Sequence, residues 1–527
     1  MNMLQLIVFF SGAVLMSLEM VGSRLLAPAF GASIYVWGSL IVVVMAALTL
    51  GYYCGGRISD QYPRFEVMGA ILGIAGVFIG FLPLWTQPVN RLCSLLEPRA
   101  GSLLASLAFF FLPSVMLAAI SPFGIKLTGR SLTTIGNTAG HMSAISTGGS
   151  IIGTLVTSFF LIPALGVRNI VHSLGVILLI LSLLAFFTAR RSQSARAGGK
   201  SFNLMILIVI LSGGIVLALW RIVPGGNRLH DADEVLYDRD SLYHHITVDQ
   251  IGSQRHLHFD NSYQSAINLE QPMEMAFAYT SYLHLGVVAR PEPARALFIG
   301  LGGGSAPKKF LHDYPGLQMV EVVEIDPEVV KVAYDYFQLP ENDPRLRVIV
   351  KDGRLYVEQK AQEITAGKTK SYDIVLIDAY SSSSIPYHLT TLEFVHSVRK
   401  VLSPNGVVVS NIIGALTGTY SKLLLAMKHT FDQAFLQTYL FPVGIYGGPN
   451  DITERNVILV ATMDAKRWDK QTWLNKAENL YNSGAITELV AAYAGALLDE
   501  TRMGNWMDKI PILTDDYAPV DTLKNPL

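Results

Sequence analysis

Ala296-Leu297-Phe298-Ile299-Gly300-Leu301-Gly302-Gly303-Gly304-Ser305 is the stretch that decides how the second half of this chain folds. Four apolar residues run straight into a cluster of glycines, which reads as a short buried strand entering a tight turn. Ala306–Asp313 then opens a helix, and Val320–Ile325 is a second strand that ends in Glu324-Ile325-Asp326. Strand, glycine turn, helix and strand form a βαβ unit of the nucleotide-binding kind. Glycines let the backbone approach a ligand closely, and a carboxylate about 20 residues on can accept from both ribose hydroxyls. Gly302 to Glu324 is 22 residues. Gly300, Gly302, Gly304, Glu324 and Ile325 are therefore candidate nucleoside-binding residues. The alternative is a packing turn with an exposed Glu, and the turn in this context with its acid favours the nucleoside reading.

Toward the C-terminus, Leu346–Val350 is a third strand leading to Lys351-Asp352-Gly353. An acid at that strand end can accept from an exocyclic adenine amine, or it can cap the next helix. Asp352 and Gly353 join the nucleoside candidates. A fourth strand, Tyr372–Ile377, ends in Asp378-Ala379-Tyr380 and a serine run at 381–384. Ligands of open α/β sheets sit beyond the carboxyl ends of the strands, so Glu324, Asp352 and Asp378 should converge on one crevice.

Toward the N-terminus, Tyr243–Asp249 and His256–Asp260 alternate on period two around Ile251-Gly252-Ser253, the pattern of a β-hairpin. It carries His244, His245, His256 and His258. Alternation sends neighbouring side chains to opposite faces, so no metal site is expected from them.

Further upstream the chain changes character. Seven apolar stretches, near 3–22, 34–56, 67–86, 101–120, 142–166, 169–188 and 202–220, are each long enough to cross a bilayer. The small residues Gly148, Gly149, Gly153 and Thr157 read as close helix packing. Over the whole chain only 15% of residues are charged and 51% are hydrophobic. A soluble domain carries about 25% charged residues. Residues 1–224 hold 13 Lys and Arg against 4 Asp and Glu, whereas the rest holds 27 against 37. A basic membrane domain (1–224), a linker and β-hairpin domain (225–290) and an acidic α/β domain (291–527) follow. Cys54 and Cys93, both in the apolar half, exclude a zinc quartet or a disulfide scaffold. Nothing points to a nucleic acid; the partners expected are a lipid bilayer and a small molecule, and a homo-oligomer is compatible with the sequence.

With seven spans, the loops on the N-terminal side carry Arg57, Arg64, Lys126, Arg130, Arg190, Arg191, Arg196 and Lys200. The opposite side carries Arg24, Arg91, Arg99, Arg168 and Arg221. In a multi-pass protein of the cell (inner) membrane, the excess of eight over five puts the soluble half on the external face. An eighth span would reverse this.

The soluble half resembles the spermidine synthases. The glycine turn, Glu324-Ile325-Asp326, Asp343-Pro344-Arg345, Asp352-Gly353, Tyr372–Asp378 and Leu389-Thr390-Thr391-Leu392-Glu393-Phe394 occur in that family's order. The hairpin with Asp260-Asn261-x-x-Gln264 is similar to its N-terminal β-domain, and a membrane-fused subfamily has a similar multi-span N-terminal half. The resemblance covers about residues 241–412. It implies a polytopic helical membrane domain, then a small β-hairpin domain and a Rossmann-like sheet of methyltransferase type. It also implies decarboxylated S-adenosylmethionine as co-substrate, without metal, and transfer of its aminopropyl group to an amine. Glu324 would hold the ribose, Asp352 the adenine, and Asp378 would be the catalytic base. Tyr243, His244, Gln264, Tyr380 and Ser381 would lie along the substrate channel.

Several positions depart from the pattern. The family's second carboxylate, three residues after the catalytic one, is Ser381; the acid of its glycine turn is Gly303; its hairpin Gln is His244. Its Asp-Glu…Tyr-x-Glu segment has no clear counterpart at Met273–Tyr282. Asp515 and Asp516, in Thr514-Asp515-Asp516-Tyr517-Ala518-Pro519, are available as replacement acids, or form only an Asp-rich turn. Three readings follow: an aminopropyltransferase; a methyltransferase or other enzyme of intact S-adenosylmethionine; or a sensor or transporter that binds a nucleoside without turnover.

Overall fold

A computed structural model describes residues 2–30, 34–129, 134–192, 233–260, 262–380, 385–444, 452–486, 490–499 and 510–524. The chain divides into two compact units, Met1–Arg228 with Arg239–Leu242, and Leu229–Asp238 with Tyr243–Leu527.

Among the described residues of the first unit, six helices are long and apolar enough to cross a membrane: Met3–Ala27, Ile34–Gln61, Phe65–Cys93, Arg99–Thr128, Ile135–Leu161 and Val167–Arg190. The expected span at 202–220 lies outside the described residues, as does the basic cluster at Arg196 and Lys200. Close packing explains most of the small residues of the fifth helix. A Cβ at Gly149 would lie 1.9 Å from the Phe9 carbonyl oxygen, and one at Gly153 would lie 2.4 Å from that of Ala13. The Thr157 hydroxyl donates to Ser17 at 2.8 Å. Gly148, like Gly136 and Gly140 on the same helix, has open space where its Cβ would be.

The second unit opens with four antiparallel strands in the order β1-β2-β3-β4: Glu234–Asp240, His245–Ile251, Gln254–Phe259 and Ser262–Asn268. The expected hairpin is its centre, β2 against β3, turning at Gly252 with φ of +57°. One strand is added on each side, because a lone hairpin has too little apolar face to be stable. Its apolar face, Ile246, Val248, Leu257, Phe259 and Ile267, packs on Val329, Val332 and Phe337 of the helix Pro327–Phe337.

The larger sheet contains β5 (Arg295–Ile299), β6 (Met319–Glu324), β7 (Leu346–Val350), β8 (Tyr372–Ile377), β9 (Leu402–Gly414), β10 (Gln437–Pro442) and β11 (Arg455–Thr462). Their order is β10-β11-β9-β8-β5-β6-β7. The five strands from β9 to β7 run parallel; β11 lies antiparallel between β9 and β10, so β10 runs in the same direction as the five. This is the mixed, Rossmann-like sheet of methyltransferase type. Every residue of β8 is buried, as befits a parallel strand covered on both faces. The chain order reverses direction between β5 and β8, so a crevice is expected beyond their carboxyl ends.

Candidate active site

Four adjacent strands deliver the polar groups. Glu324 closes β6, Asp352 follows β7, Asp378 follows β8, and the glycine loop leaves β5 between them. Gly300 has φ of +101°, and a Cβ there would lie 2.3 Å from the Asp378 carbonyl oxygen. Only glycine allows the loop to pass that close to β8. Gly302 (φ +54°) and Gly304 (φ +75°) complete the turn, and Gly304 precedes the helix Ser305–Asp313.

The Glu324 carboxylate is tied into the loop. Its Oε2 accepts from the Leu301 N–H at 3.1 Å and its Oε1 from the Asp326 N–H at 3.0 Å. Burial pushes this carboxyl up to about 7, against the lowering effect of those backbone donors, the Ile325 N–H among them. Asp352 does what a cap does: its Oδ1 accepts from Leu355 N–H at 3.0 Å at the start of the helix Gly353–Thr365. Its Oδ2 faces His388 Nε2 at 3.1 Å, and the residue is half-exposed, so lone pairs remain for a ligand donor. A Cβ at Gly353 would lie 2.7 Å from the Ile299 side chain, which keeps this corner small. The exposed Tyr243 belongs to the same place. Burial, then the negative field of Asp326, Asp352 and Glu324, raises its phenol above the ordinary value.

Asp378 sits one strand over. Its Oδ2 accepts from the Tyr279 hydroxyl at 3.1 Å and its Oδ1 from Asn411 Nδ2 at 2.8 Å. Asn411 Oδ1 in turn accepts from Asn456 Nδ2 at 3.0 Å. Burial raises the Asp378 carboxyl, and the two donors oppose it. The result is a held carboxylate whose proton affinity lies above the ordinary aspartate value. Sequence reasoning singles out none of Tyr279, Asn411 and Asn456. One signal exists for Asn411: Ser410-Asn411 ends the apolar run Val407-Val408-Val409 at the carboxyl end of the strand next to β8.

Other expected site residues are placed differently. Tyr380 spends its hydroxyl on backbone: it donates to the Asn411 carbonyl at 3.1 Å and accepts from the Ile413 N–H at 2.8 Å. His244 is buried and stacks on Phe259, with ring centroids 4.5 Å apart, so its ring serves packing. Gln264 lies on β4, whose backbone passes beside Gly302. Ser381 lies outside the described residues. Asp515 is engaged through both oxygens by the Arg354 guanidinium at 2.6 Å, which holds its carboxyl below the usual range. That geometry gives it a structural partner, while each oxygen keeps a lone pair on an exposed side chain. Asp516 is exposed at the tip of the Thr514–Tyr517 turn.

The position of the missing acid, Gly303, is also closed. A Cβ there would lie 2.7 Å from Ser265 Oγ and 2.9 Å from the Phe337 ring. The hairpin histidines find local partners: His245 with Asp238 at 3.0 Å, and His258 and His256 with Asp249 at 3.0 and 3.4 Å. Among the described residues no three His, Cys, Asp or Glu side chains form a group that could hold a metal ion.

Residues 276–447 match the spermine/spermidine synthase domain. A polyamine aminopropyltransferase of Vibrio vulnificus is 29% identical over 308 residues, 55% of this chain and 91% of that protein. Another from Chromobacterium violaceum is 32% identical over 167 residues, 32% of this chain and 60% of that protein. The human eEF1A lysine and N-terminal methyltransferase is 29% identical over 165 residues, 29% of this chain and only 23% of that protein. The domain match and the long match to the first support a spermidine synthase-like family, with a helical region on the N-terminal side.

Proposed function

We propose that the protein is a membrane-embedded aminopropyltransferase that takes decarboxylated S-adenosylmethionine as co-substrate and a small amine as acceptor. The observation that carries this reading is the Asp378 carboxylate, held by Tyr279 and Asn411 at the end of β8, one strand from the glycine loop that engages Glu324. In this reading Glu324 accepts from the ribose hydroxyls and Asp352 from the adenine amine, each with a lone pair its internal partners leave open. Tyr243 covers the nucleoside on the hairpin side.

The chemistry asks little more of the protein. The acceptor nitrogen displaces the thioether at the carbon beside the sulfonium, the C–S bond breaks as the N–C bond forms, and the thioether leaves with the electron pair. Asp378 takes the proton that the nitrogen sheds. The sulfonium is already an activated leaving group, so orientation and one general base suffice.

Gly303 favours a second reading, an enzyme of intact S-adenosylmethionine, because no acid can stand there to receive the donor's ammonium. Incubation with decarboxylated and with intact S-adenosylmethionine, each with a panel of amines, separates the two by product mass. Aminopropyl adducts from the decarboxylated donor support the first reading; methylated products from the intact donor overturn it.

The six long helices support a multi-pass location in the cell membrane, and with the seventh apolar stretch at 202–220 counted as a span the distribution of basic residues supports an external soluble half. Phosphatase fusions after residue 230 and at the C-terminus should be active, and cytoplasmic fluorescence without phosphatase activity would reverse the assignment.

A further inference from the structure

We propose that Asn411 is the positioning residue for Asp378, with its main chain braced by Tyr380 and its amide orientation fixed by Asn456. The inference rests on the reading of Asp378 as the base.

β8 ends at Ile377, whose register partner on β9 is Ser410, while β9 runs on to Gly414. Past that pair, the Asn411 C=O and Ile413 N–H have no further residue of β8 to bond. The Tyr380 hydroxyl stands in for the missing strand, donating to the first and accepting from the second. On the other edge, Asn411 and Ile413 pair with Ile458 and Asn456 of β11. A strand end that would fray is thus held on both sides, and Asn411 is 3% exposed. Its side chain leaves this fixed point with Nδ2 directed at Asp378 Oδ1.

A carboxamide has nearly the same shape when flipped, so something must choose which end meets the carboxylate. Asn456 does so. Its Nδ2 donates to Asn411 Oδ1, and a flip would set NH₂ against NH₂ and C=O against COO⁻, losing both hydrogen bonds. With Tyr279 on Oδ2, each Asp378 oxygen has one protein donor and keeps one lone pair for the acceptor's N–H. Among the described residues, the titratable groups facing Asp378 are Tyr279, from the helix Ala278–Tyr282, and Tyr380, after β8. Burial holds both phenols well above the ordinary value, so neither changes charge in the assay range.

The test is the pH profile of kcat/KM for Asn411→Leu, Asn456→Leu and Asp378→Asn, with calorimetric binding of decarboxylated S-adenosylmethionine alongside. Loss of a donor that favours the ionised carboxylate should move the acid limb of Asn411→Leu up by about one pH unit and lower kcat by about tenfold or more. Co-substrate affinity should stay within about twofold of wild type. Asn456→Leu should shift the limb the same way by less, since Asn411 remains but its amide is free to turn. Asn456 is only half-buried, so that variant decides the matter if Asn411→Leu does not fold. An unshifted limb in the folded variants, or a uniform fall at every pH together with lost co-substrate binding, overturns the positioning role. Asp378→Asn keeps the two failures apart: if it turns over like wild type, the base assignment has failed. If it is inactive while the limb stays put, only the role of Asn411 has failed.

Discussion

The two ends of the crevice are built by different means. At the proposed nucleoside end, each acid also has a local structural role. Glu324 accepts from the glycine loop and from Asp326 two residues on, and Asp352 caps the helix that follows it. At the amine end, Asp378 is held by residues far away in sequence: Tyr279 lies 99 residues before it and Asn411 lies 33 after. A site whose members share turns and caps has fixed spacing. A site assembled across strands does not, and its members can be exchanged one at a time. The first kind keeps the same ligand fragment; the second is where an acceptor preference can change.

The sharpest way to break this division is Asp378→Asn, which keeps shape and removes basicity. Turnover should fall by about 10²–10⁴ while calorimetric binding of the nucleoside co-substrate persists. Loss of both together would mean that the two ends are one functional unit.

Glu324→Ala should do the reverse, weakening co-substrate binding by about 1.5–3 kcal/mol if the carboxylate accepts from the ribose. The pH dependence has a definite sign. The Glu324 carboxyl is raised from 4.5 to about 7, so between those values the folded domain holds a proton that the unfolded chain has lost. Its contribution to stability therefore falls as pH rises through that window. Ribose hydroxyls favour the ionised form, so co-substrate binding should release a proton. Affinity should tighten with pH by up to about tenfold per unit and level off above the free carboxyl's value. Calorimetry in buffers of different ionisation enthalpy reads the proton release directly, and a flat profile would remove Glu324 from the ribose.

The same division explains what is legible in the sequence. β7, β8 and the glycine turn can be read almost to the residue because apolar runs and glycines are local signals. The two strands flanking the hairpin escape such a reading, since β1 and β4 are recognisable only by the sheet they complete. Tyr380 is expected at the substrate because it follows Asp378, yet its hydroxyl repairs the end of β9. Proximity in sequence to a functional residue does not say which way a side chain turns. Asn411 and Asn456 give no spacing signal at all, because a hydrogen bond across 45 residues leaves no periodicity.

Gly303 gives a prediction of intermediate size. If the loop had merely lost its acid, Gly303→Asp would restore it. A Cβ at that position meets Ser265 Oγ at 2.7 Å and the Phe337 ring at 2.9 Å, and the ring has nowhere to move within the packed face of the small sheet. The substitution should therefore cost about 1–3 kcal/mol of stability, measured by urea unfolding, with no gain in amine-dependent turnover. A stable and more active variant would show that the loop can reopen.

The smallest effect is expected at Asp515, and it separates a structural acid from a substrate-binding one. Arg354 grips both of its oxygens, and also bonds Glu358, from a site where the Asp515 side chain is 41% exposed. A half-exposed pair in this geometry contributes about 0.5–1 kcal/mol after solvent screening. Asp515→Asn and Arg354→Ala should each lower the melting temperature slightly. In the double variant the losses should fall short of additive, because either substitution alone already breaks the pair. The KM for the acceptor should stay near wild type in Asp515→Asn. An acid that instead received the acceptor's second charge would show the opposite: an unchanged melting temperature, a KM raised at least about tenfold, and additive effects with Arg354→Ala.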